Sequence, residues 1–319
     1  MAARGPLFVT ARYPRMLHTR DTRDLGRLEL LARQVVEGFI IGLHKSPFHG
    51  FSVEFAEHRI YNPGDNLRNV DWKVFARSDR MFVKRYEEET NLRCQLVVDA
   101  SSSMYFPADR GADDTKLAFA AQAAAALMYL LQRQRDAFGL TLYGEGVAYQ
   151  SPQRSSTAHL RGLTAELERA LSDYADGRAT ATAQTLHAVA ETLPKRSLVF
   201  AFSDFLGADA DLDALFAALQ HLRHRKHEVV LFQVNDRARE VDFDYDNRPH
   251  EFVDMETGER VKLHPAEVAD AYRRAVASQR ARLRETCLRY RVDLVDADTR
   301  AGFRPVLQSY LLKRRRMGA

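Results

Sequence analysis

The sequence predicts an α/β fold in which a doubly wound, mostly parallel sheet carries helices on both faces. From about residue 94 onward, short apolar runs alternate with longer helical patterns. The apolar runs are nearly continuous, which is typical of strands that are buried on both faces. The chain has 319 residues, of which 45% are hydrophobic, so it is long enough for one large domain or two smaller ones.

Strand and helix signals follow one another regularly along the first half of this region. A strand is predicted at residues 94–98, and a long alanine-rich helix follows at residues 116–132. Residues 138–143 are predicted as a second strand. Short strands on either side of the Gly-Glu-Gly turn at residues 144–146 form a hairpin, so this edge of the sheet should be antiparallel.

The second half continues the alternation and contains one insertion. Helices are predicted at residues 157–171, 185–193, 212–224, 265–290 and 303–312, and strands at residues 198–202, 229–234 and 292–295. Residues 250–263 interrupt this rhythm with two short extended runs around a Glu-Thr-Gly sequence. Gly258 is suited to a turn, so we expect a small hairpin that projects from the domain.

The residues before about 90 have a different pattern. A helix is predicted near residues 25–41, whereas the stretch after Gly50 lacks helical periodicity. We therefore expect residues 1–90 to form an N-terminal helix and a β-rich subdomain, and residues 91–319 to form the α/β domain with its hairpin. The single tryptophan, Trp72, is expected to be buried and to stabilise the first part.

Composition and charge exclude several classes of protein. The net charge of +4 is well below the charge that is typical of nucleic-acid-binding proteins. The basic run at residues 313–316 is expected to be solvated. The N-terminus lacks the apolar core of a signal peptide, and the longest apolar run, residues 118–131, is too short for a membrane span. Cys94 and Cys287 form no CxxC motif, so we expect two buried thiols in a reducing compartment and a cytoplasmic protein.

A carboxylate followed by hydroxyls ends the first strand. Asp99 lies at the carboxyl end of a predicted parallel strand, which is the edge of an open α/β sheet where ligands bind. Ser101 and Ser103 then place hydroxyls on one side of the loop. These hard oxygen donors suit Mg²⁺ or Mn²⁺ rather than zinc. Helix capping is an alternative, but residues 113–115 already supply caps for the next helix, and a generic serine-rich loop is a further alternative.

Two later residues are positioned to join this loop. Thr180 precedes a helix and offers another hydroxyl, and Asp204 follows the buried strand at residues 198–202, at the same sheet edge as Asp99. An unpaired buried carboxylate is costly, so Asp204 should have a partner, although capping of the next helix is the alternative. Because hydroxyl ligands leave the charge of a metal ion incompletely neutralised, such an ion still attracts an anion, such as a carboxylate of a partner protein.

This pattern resembles the metal-ion-dependent adhesion site of the von Willebrand factor type A domain. That site combines an Asp-x-Ser-x-Ser loop, a loop threonine and an aspartate that follows a later strand. The matching residues, and the metal ligands that the resemblance implies, are Asp99, Ser101, Ser103, Thr180 and Asp204. Thr182 is the alternative for the threonine. The resemblance spans about residues 92–300 and implies a site for Mg²⁺ or Mn²⁺.

The N-terminal part resembles the signature of the bacterial domain-of-unknown-function family 58. The signature maps onto Gly42, Ser46, Gly50, Phe55, Arg59, Tyr61, Gly64, Asp65, Asp71, Trp72, Ala76 and Arg77. With the hairpin included, the resemblance covers nearly the whole chain. It implies a non-catalytic adaptor that works with a MoxR-type AAA+ ATPase and presents or receives a client protein in a chaperone-like complex.

A metal-dependent hydrolase or phosphatase acting at the same sheet edge is the alternative function. A haloacid-dehalogenase-type phosphatase would need an aspartate at the position of Ser101, and the chain has neither a Gly-x-Ser-x-Gly elbow nor a Walker A loop. A zinc site at His221, His224 and His227 is disfavoured, because their spacing does not keep them on one helical face. The sequence therefore favours a protein-binding function with no catalytic residues.

Overall fold

The chain contains two compact units. One comprises Met1–Pro47 and Arg93–Ala319, and the other comprises Phe48–Leu92. The predicted division into residues 1–90 and 91–319 stays a prediction. The computed structural model describes residues 8–9, 28–29, 31–33, 36, 54–60, 70, 72–78, 80–87, 92–107, 109, 112–174, 177–206 and 209–317.

The described residues near the N-terminus include a short strand and helical residues. Phe8–Val9 forms strand β1. Residues 28–29, 31–33 and 36 are helical, which agrees with the helix predicted near residues 25–41. Leu28, Ala32 and Val36 are buried and recur at every fourth position, so they form one apolar stripe along this helix.

The smaller unit contains a two-stranded antiparallel sheet and a short helix. Strand β2 (Glu54–Ile60) pairs with strand β3 (Phe82–Glu87). Helix α1 (Trp72–Ser78) lies between them in sequence. The strand pairing agrees with the expected β-rich subdomain. The helix was not predicted, because seven residues are too few to establish a helical period. Half of the signature residues of this unit lie outside the described residues, namely Gly50, Tyr61, Gly64, Asp65 and Asp71.

The expectation that Trp72 is buried is wrong. The side chain is 54% exposed. Trp72 is the first residue of α1, and its ring contacts the edge of the Phe75 ring, with 6.2 Å between the ring centroids. The ring therefore contacts a neighbour on the same helix and leaves about half of its surface exposed.

Replacing Trp72 with alanine should therefore change stability little. We expect the free energy of unfolding to change by less than about 1 kcal/mol, as is usual for exposed positions. A fully buried tryptophan would instead cost about 3–5 kcal/mol. Urea denaturation followed by circular dichroism measures the difference, and a loss of about 3 kcal/mol or more would show that the ring is buried in solution.

The larger unit is built on a six-stranded sheet. The strands that follow β1 in this unit are, in chain order, β4 (Arg93–Asp99), β5 (Ala137–Tyr143), β6 (Val147–Gln150), β7 (Leu198–Ser203), β8 (Glu228–Asn235), β9 (His250–Val253), β10 (Arg260–Leu263) and β11 (Asp293–Asp298). Of these, β9 and β10 lie outside the six-stranded sheet. The spatial order of the sheet is β11-β8-β7-β4-β5-β6. Every neighbouring pair is parallel except β5 and β6, so the expected antiparallel edge is confirmed.

Helices cover both faces of this sheet. They are α2 (Lys116–Arg133), α3 (Thr157–Ser172), α4 (Thr182–Thr192), α5 (Asp209–His224), α6 (Pro265–Tyr290) and α7 (Phe303–Met317). Residues of α4, α5 and α6 form a buried cluster with Val97 and Val199 on one face. On the other face, Tyr310 of α7 packs against Phe200, and α2 contacts both α3 and α7. The predicted doubly wound α/β fold class is confirmed.

The predicted hairpin insertion is also confirmed. Strands β9 and β10 pair antiparallel, with Val253 opposite Arg260. Gly258 has a φ of +73°, a conformation that favours glycine, so it closes the turn as expected. Strand β1 adds a third strand by pairing with β9. A strand of two residues has no detectable period, so the sequence did not predict it.

Two further expectations concern the cysteines and the membrane. Cys94 and Cys287 are both buried and are not joined in a disulfide, as expected. Within the described ranges, no helix combines the length and the apolar character that a bilayer span needs.

Candidate functional site

The candidate site lies at the carboxyl edge of the sheet, where neighbouring parallel strands end together. In the register of β4 with β7, Val98 lies opposite Phe202, so Asp99 comes next to Ser203. The Ser203 hydroxyl donates a hydrogen bond to Oδ2 of Asp99, at 2.7 Å. Asp204 follows directly, and both carboxylates are buried. The edge predicted from the sequence therefore does bring Asp99 and Asp204 close together.

The loop after Asp99 folds back onto the carboxylate. The amide of Ser101 donates to Oδ1 of Asp99 at 2.9 Å, and the chain then turns through a 3₁₀ segment, Ser102–Tyr105. This turn places the hydroxyl oxygens of Ser101 and Ser103 3.2 Å apart. Both serines are buried. Their hydroxyls therefore lie together beside Asp99, as the spacing predicted.

The intervening serine fixes a second loop. Ser102 donates its amide to the carbonyl oxygen of Arg178 at 3.0 Å, and its hydroxyl accepts from the amide of Arg178 at 2.8 Å. The same loop is held from the other side, because the amide of Ala181 donates to the carbonyl oxygen of Gly144 at 2.8 Å. A Cβ on Gly144 would lie 2.7 Å from Cδ of Arg178, so a larger residue here would force the Arg178 side chain to move.

These contacts position Thr180 rather than Thr182 beside Asp99. The Thr180 hydroxyl lies 3.5 Å from Oδ2 of Asp99. The hydroxyl of Thr182 instead lies 3.0 Å from the hydroxyl of Tyr143. The geometry thus agrees with the choice of Thr180 over its alternative.

Asp204 has a buried partner that the sequence analysis missed. The ammonium group of Lys116 donates to Oδ2 of Asp204 at 2.7 Å and to Oε1 of Glu240 at 2.6 Å. Phe205 has a φ of +50°, and the chain turns there so that the amide of Leu206 reaches Oδ1 of Asp204 at 3.2 Å. Lys116 is therefore the partner that was expected for Asp204. The hydrogen bond from the Leu206 amide to Asp204 is made before α5 begins at Asp209.

Glu256 is a third residue of the site that was not predicted from the sequence, after Lys116 and Glu240. It lies at the tip of the β9–β10 hairpin and contacts the Thr180 loop. The Thr180 hydroxyl donates to Oε1 of Glu256 at 2.9 Å, and the Thr180 amide lies 3.3 Å from Oε2. The hairpin had been predicted without a role. The sequence could have predicted a buried role for Lys116, because it is a lone charge at the start of an apolar run. No local sequence pattern indicates that Glu240 or Glu256 belongs to the site.

The site carries an excess of buried negative charge. Burial and the charge of Asp204 raise the pKa of Asp99 to about 6 and the pKa of Glu256 to about 7. Burial also raises the pKa of Glu240 to about 7, although Lys116 opposes this shift. Burial alone would lower the pKa of Lys116, but the adjacent carboxylates outweigh it and the pKa is raised. Across the described parts of the chain, Lys116 pairs with two of these four carboxylates, those of Asp204 and Glu240.

The oxygen atoms around Asp99 fit a hard divalent cation. One carboxylate and the hydroxyls of Ser101, Ser103 and Thr180 lie together at one edge. Among the residues that the structure describes, no three His, Cys, Asp or Glu side chains are grouped to hold a metal. Any ion here would thus be held mainly by hydroxyls and water, and Mg²⁺, which usually keeps several waters, suits such a donor set.

The zinc alternative finds no support in the geometry. Nδ1 of His221 lies 3.0 Å from Nδ1 of His187, and Nε2 of His221 lies 3.0 Å from Glu191. His227 is buried, and its Nδ1 accepts a hydrogen bond from the amide of Ser197. These histidines therefore have separate partners and do not form a ligand set.

A cavity of about 120 Å³ adjoins the site. Thr180, Asp204 and Glu256 contribute to one part of its lining, and Phe205 and Leu215 contribute apolar surface. The cavity therefore offers both polar and apolar contacts next to the carboxylates.

The chain is similar to several known proteins. It is 28% identical over 264 residues to the uncharacterized protein Rv1480 of Mycobacterium tuberculosis (strain ATCC 25618 / H37Rv), covering 82% of this chain and 80% of that protein. Among solved structures, it is similar to an aerotolerance-related membrane protein from Bacteroides fragilis NCTC 9343, with 12% identity, a TM-score of 0.43, and coverage of 71% of this chain and 99% of that one. It is also similar to the VWA domain of SpRpn10, with 14% identity, a TM-score of 0.31, and coverage of 46% and 76%.

The family assignment rests on a match to a family model. Residues 57–282 match the model described as "Protein of unknown function DUF58". This range includes most of the smaller unit and all five predicted site residues. The match confirms the resemblance inferred from the sequence, and the chain belongs to the DUF58 family.

Proposed function

We propose that this protein is a non-catalytic adaptor that binds a partner protein through a shared Mg²⁺ or Mn²⁺ ion. The observation that supports this best is the meeting of Asp99, Ser101, Ser103, Thr180 and Asp204 at one edge of the sheet. The family membership and the α/β fold agree with a protein-interaction role.

Each residue has a distinct role in this proposal. Asp99 supplies the ligand carboxylate, held in place by hydrogen bonds from the Ser101 amide and the Ser203 hydroxyl. Ser101, Ser103 and Thr180 supply neutral hydroxyl ligands. Asp204 is the fifth proposed ligand, and Lys116, which it shares with Glu240, offsets part of its charge. A bound ion would supply an electrophilic position for an anion from outside the chain.

A partner carboxylate is the anion that fits this site. A hard cation with few anionic ligands binds carboxylate oxygens well. The resemblance noted in the sequence implies that a MoxR-type AAA+ ATPase is a partner and that a client protein is a second one. A cytoplasmic location is part of the proposal, and the two buried thiols that form no disulfide agree with it.

The same geometry argues against a nucleophilic role for Asp99. Both of its oxygens accept hydrogen bonds, Oδ1 from the Ser101 amide and Oδ2 from the Ser203 hydroxyl. The residue two positions later is Ser101, which cannot replace the acid/base aspartate of a phosphatase. A metal-dependent hydrolase at this edge of the sheet is the alternative function, and the following experiment distinguishes it from the adaptor.

Affinity capture from a native lysate tests the proposal. The full chain is used as bait in Mg²⁺ and again in EDTA, beside an Asp99→Ala bait and a control, Asp270→Ala, at an exposed aspartate of α6 that pairs with Arg273. We expect an AAA+ ATPase to be retained by the wild-type and control baits in Mg²⁺ only. Retention that is equal in EDTA would move the contact to another surface. Mg²⁺-dependent phosphatase turnover that Asp99→Ala removes would establish the enzyme instead.

A further inference from the structure

We propose that Glu256 is a further ligand of this metal site, a carboxylate of the chain itself that occupies the ion's open position until a partner's carboxylate replaces it. The inference rests on the proposed Mg²⁺ or Mn²⁺ site. It gives the hairpin at residues 250–263 a role in partner binding.

The first argument is the position of the carboxylate. Thr180 is shared between two acids: its hydroxyl lies 3.5 Å from Oδ2 of Asp99 and 2.9 Å from Oε1 of Glu256. Glu256 is therefore one hydroxyl group away from the central carboxylate of the site. A ligand carboxylate from another molecule would have to approach the same hydroxyl loops.

The second argument is that the hairpin tip is held in place by its own contacts. Oδ1 of Asp254 accepts hydrogen bonds from the amides of Glu256, at 2.8 Å, and Thr257, at 3.0 Å. The amide of Gly177 lies 3.3 Å from the carbonyl oxygen of Met255, and the Met255 side chain is buried. The backbone around Glu256 is therefore fixed before any ligand binds, as a preorganised ligand requires.

The third argument is charge. Asp99 and Glu256 both carry carboxylates at Thr180, and neither forms an ion pair with another described residue, since Lys116 pairs with Asp204 and Glu240. Two carboxylates beside one hydroxyl repel each other in a partly buried site. A divalent cation bound between them would offset this repulsion, so Glu256 fits a metal ligand better than a structural hydrogen-bond acceptor.

The occupant that replaces Glu256 is an acidic side chain of a partner protein. A carboxylate reproduces the bonds that Glu256 makes to the ion and to Thr180. The adjoining cavity of about 120 Å³, with apolar surface from Phe205 and Leu215, accommodates a small apolar group next to that acid. The segment recognised is thus an aspartate or glutamate flanked by an apolar residue.

Glu256→Gln tests the inference, because it keeps the shape of the side chain and removes its charge. Mn²⁺ affinity is measured by calorimetry on the full chain, with Glu251→Gln as the matched control. Glu251 lies on the same hairpin and pairs only with exposed Arg260 and Lys262 among the described residues. We expect Glu256→Gln to weaken Mn²⁺ binding about tenfold or more, and Glu251→Gln to leave it nearly unchanged.

Two further measurements distinguish a lost ligand from a damaged site. Water proton relaxation by bound Mn²⁺ should increase in Glu256→Gln, because water takes the vacated position. Acetate should restore Mn²⁺ affinity in that variant and have little effect on the wild type. Circular dichroism checks that the variant is folded, and Glu256→Asp, which retains a carboxylate, should show a smaller loss.

The failure of this inference is distinct from the failure of the proposed metal site. If Asp99→Ala loses Mn²⁺ and Glu256→Gln behaves like Glu251→Gln in affinity and relaxation, the metal site stands and Glu256 is not a ligand. If the wild-type protein binds no Mn²⁺, both proposals are overturned.

Discussion

Replacing Asp99 with alanine should abolish Mn²⁺ binding while leaving the protein folded. Asp99 supplies the only carboxylate of the first hydroxyl loop, and the hydroxyl ligands proposed around it, Ser101, Ser103 and Thr180, are neutral, so the variant loses the central anionic ligand of the ion. The fold should survive because ionised Asp99 is fully buried, and removing it relieves the cost of desolvating a charge. Calorimetry with Mn²⁺ measures the affinity, and circular dichroism measures the thermal midpoint.

A buried aspartate at the opposite end of the sheet provides the matched control. Asp136 is buried and directly precedes β5, at the amino end of that strand. Asp136→Asn should leave Mn²⁺ affinity unchanged. Asp99→Asn should lose Mn²⁺ binding as Asp99→Ala does, because asparagine carries no charge. It keeps an oxygen that can accept the hydrogen bond from the Ser101 amide, so this loss would not come from a broken loop. Unchanged Mn²⁺ affinity in Asp99→Ala would contradict the proposed metal site at Asp99.

The fold was predictable because its elements carry strong local patterns. Strand β7 is apolar from Leu198 to Phe202, and α6 begins and ends at the predicted residues. Apolar strands separated by helices leave few arrangements other than a parallel sheet covered on both faces. Such a sheet brings its carboxyl ends to one edge, and for that reason Asp99 and Asp204 were expected to meet.

The rest of the site was not predictable, because its contacts join distant parts of the chain. Lys116 reaches Glu240 across 124 positions, and Thr180 meets Glu256 across 76. Glu240 comes from a short π-helical segment, Arg237–Val241, that gives no periodic signal. The exposure of Trp72 was missed for a related reason, since burial was inferred from residue type rather than from its place in a helix.

Replacing Lys116 with methionine should destabilise the protein strongly. The ammonium group is fully buried and bridges the buried carboxylates of Asp204 and Glu240. Methionine fills much of the same volume and leaves both acids without their cation. Removing one partner of a buried ion pair typically costs about 3–5 kcal/mol. Urea denaturation in EDTA, followed by circular dichroism, measures the free energy of unfolding.

Two comparisons attribute that loss to buried charge rather than to lost packing. Lys195→Met makes the same change at an exposed lysine and should alter the free energy of unfolding by less than about 1 kcal/mol. Adding Glu240→Gln to Lys116→Met removes one of the two uncompensated carboxylates, so the double variant should be more stable than Lys116→Met alone. A double variant that is no more stable would mean that Lys116 acts through packing.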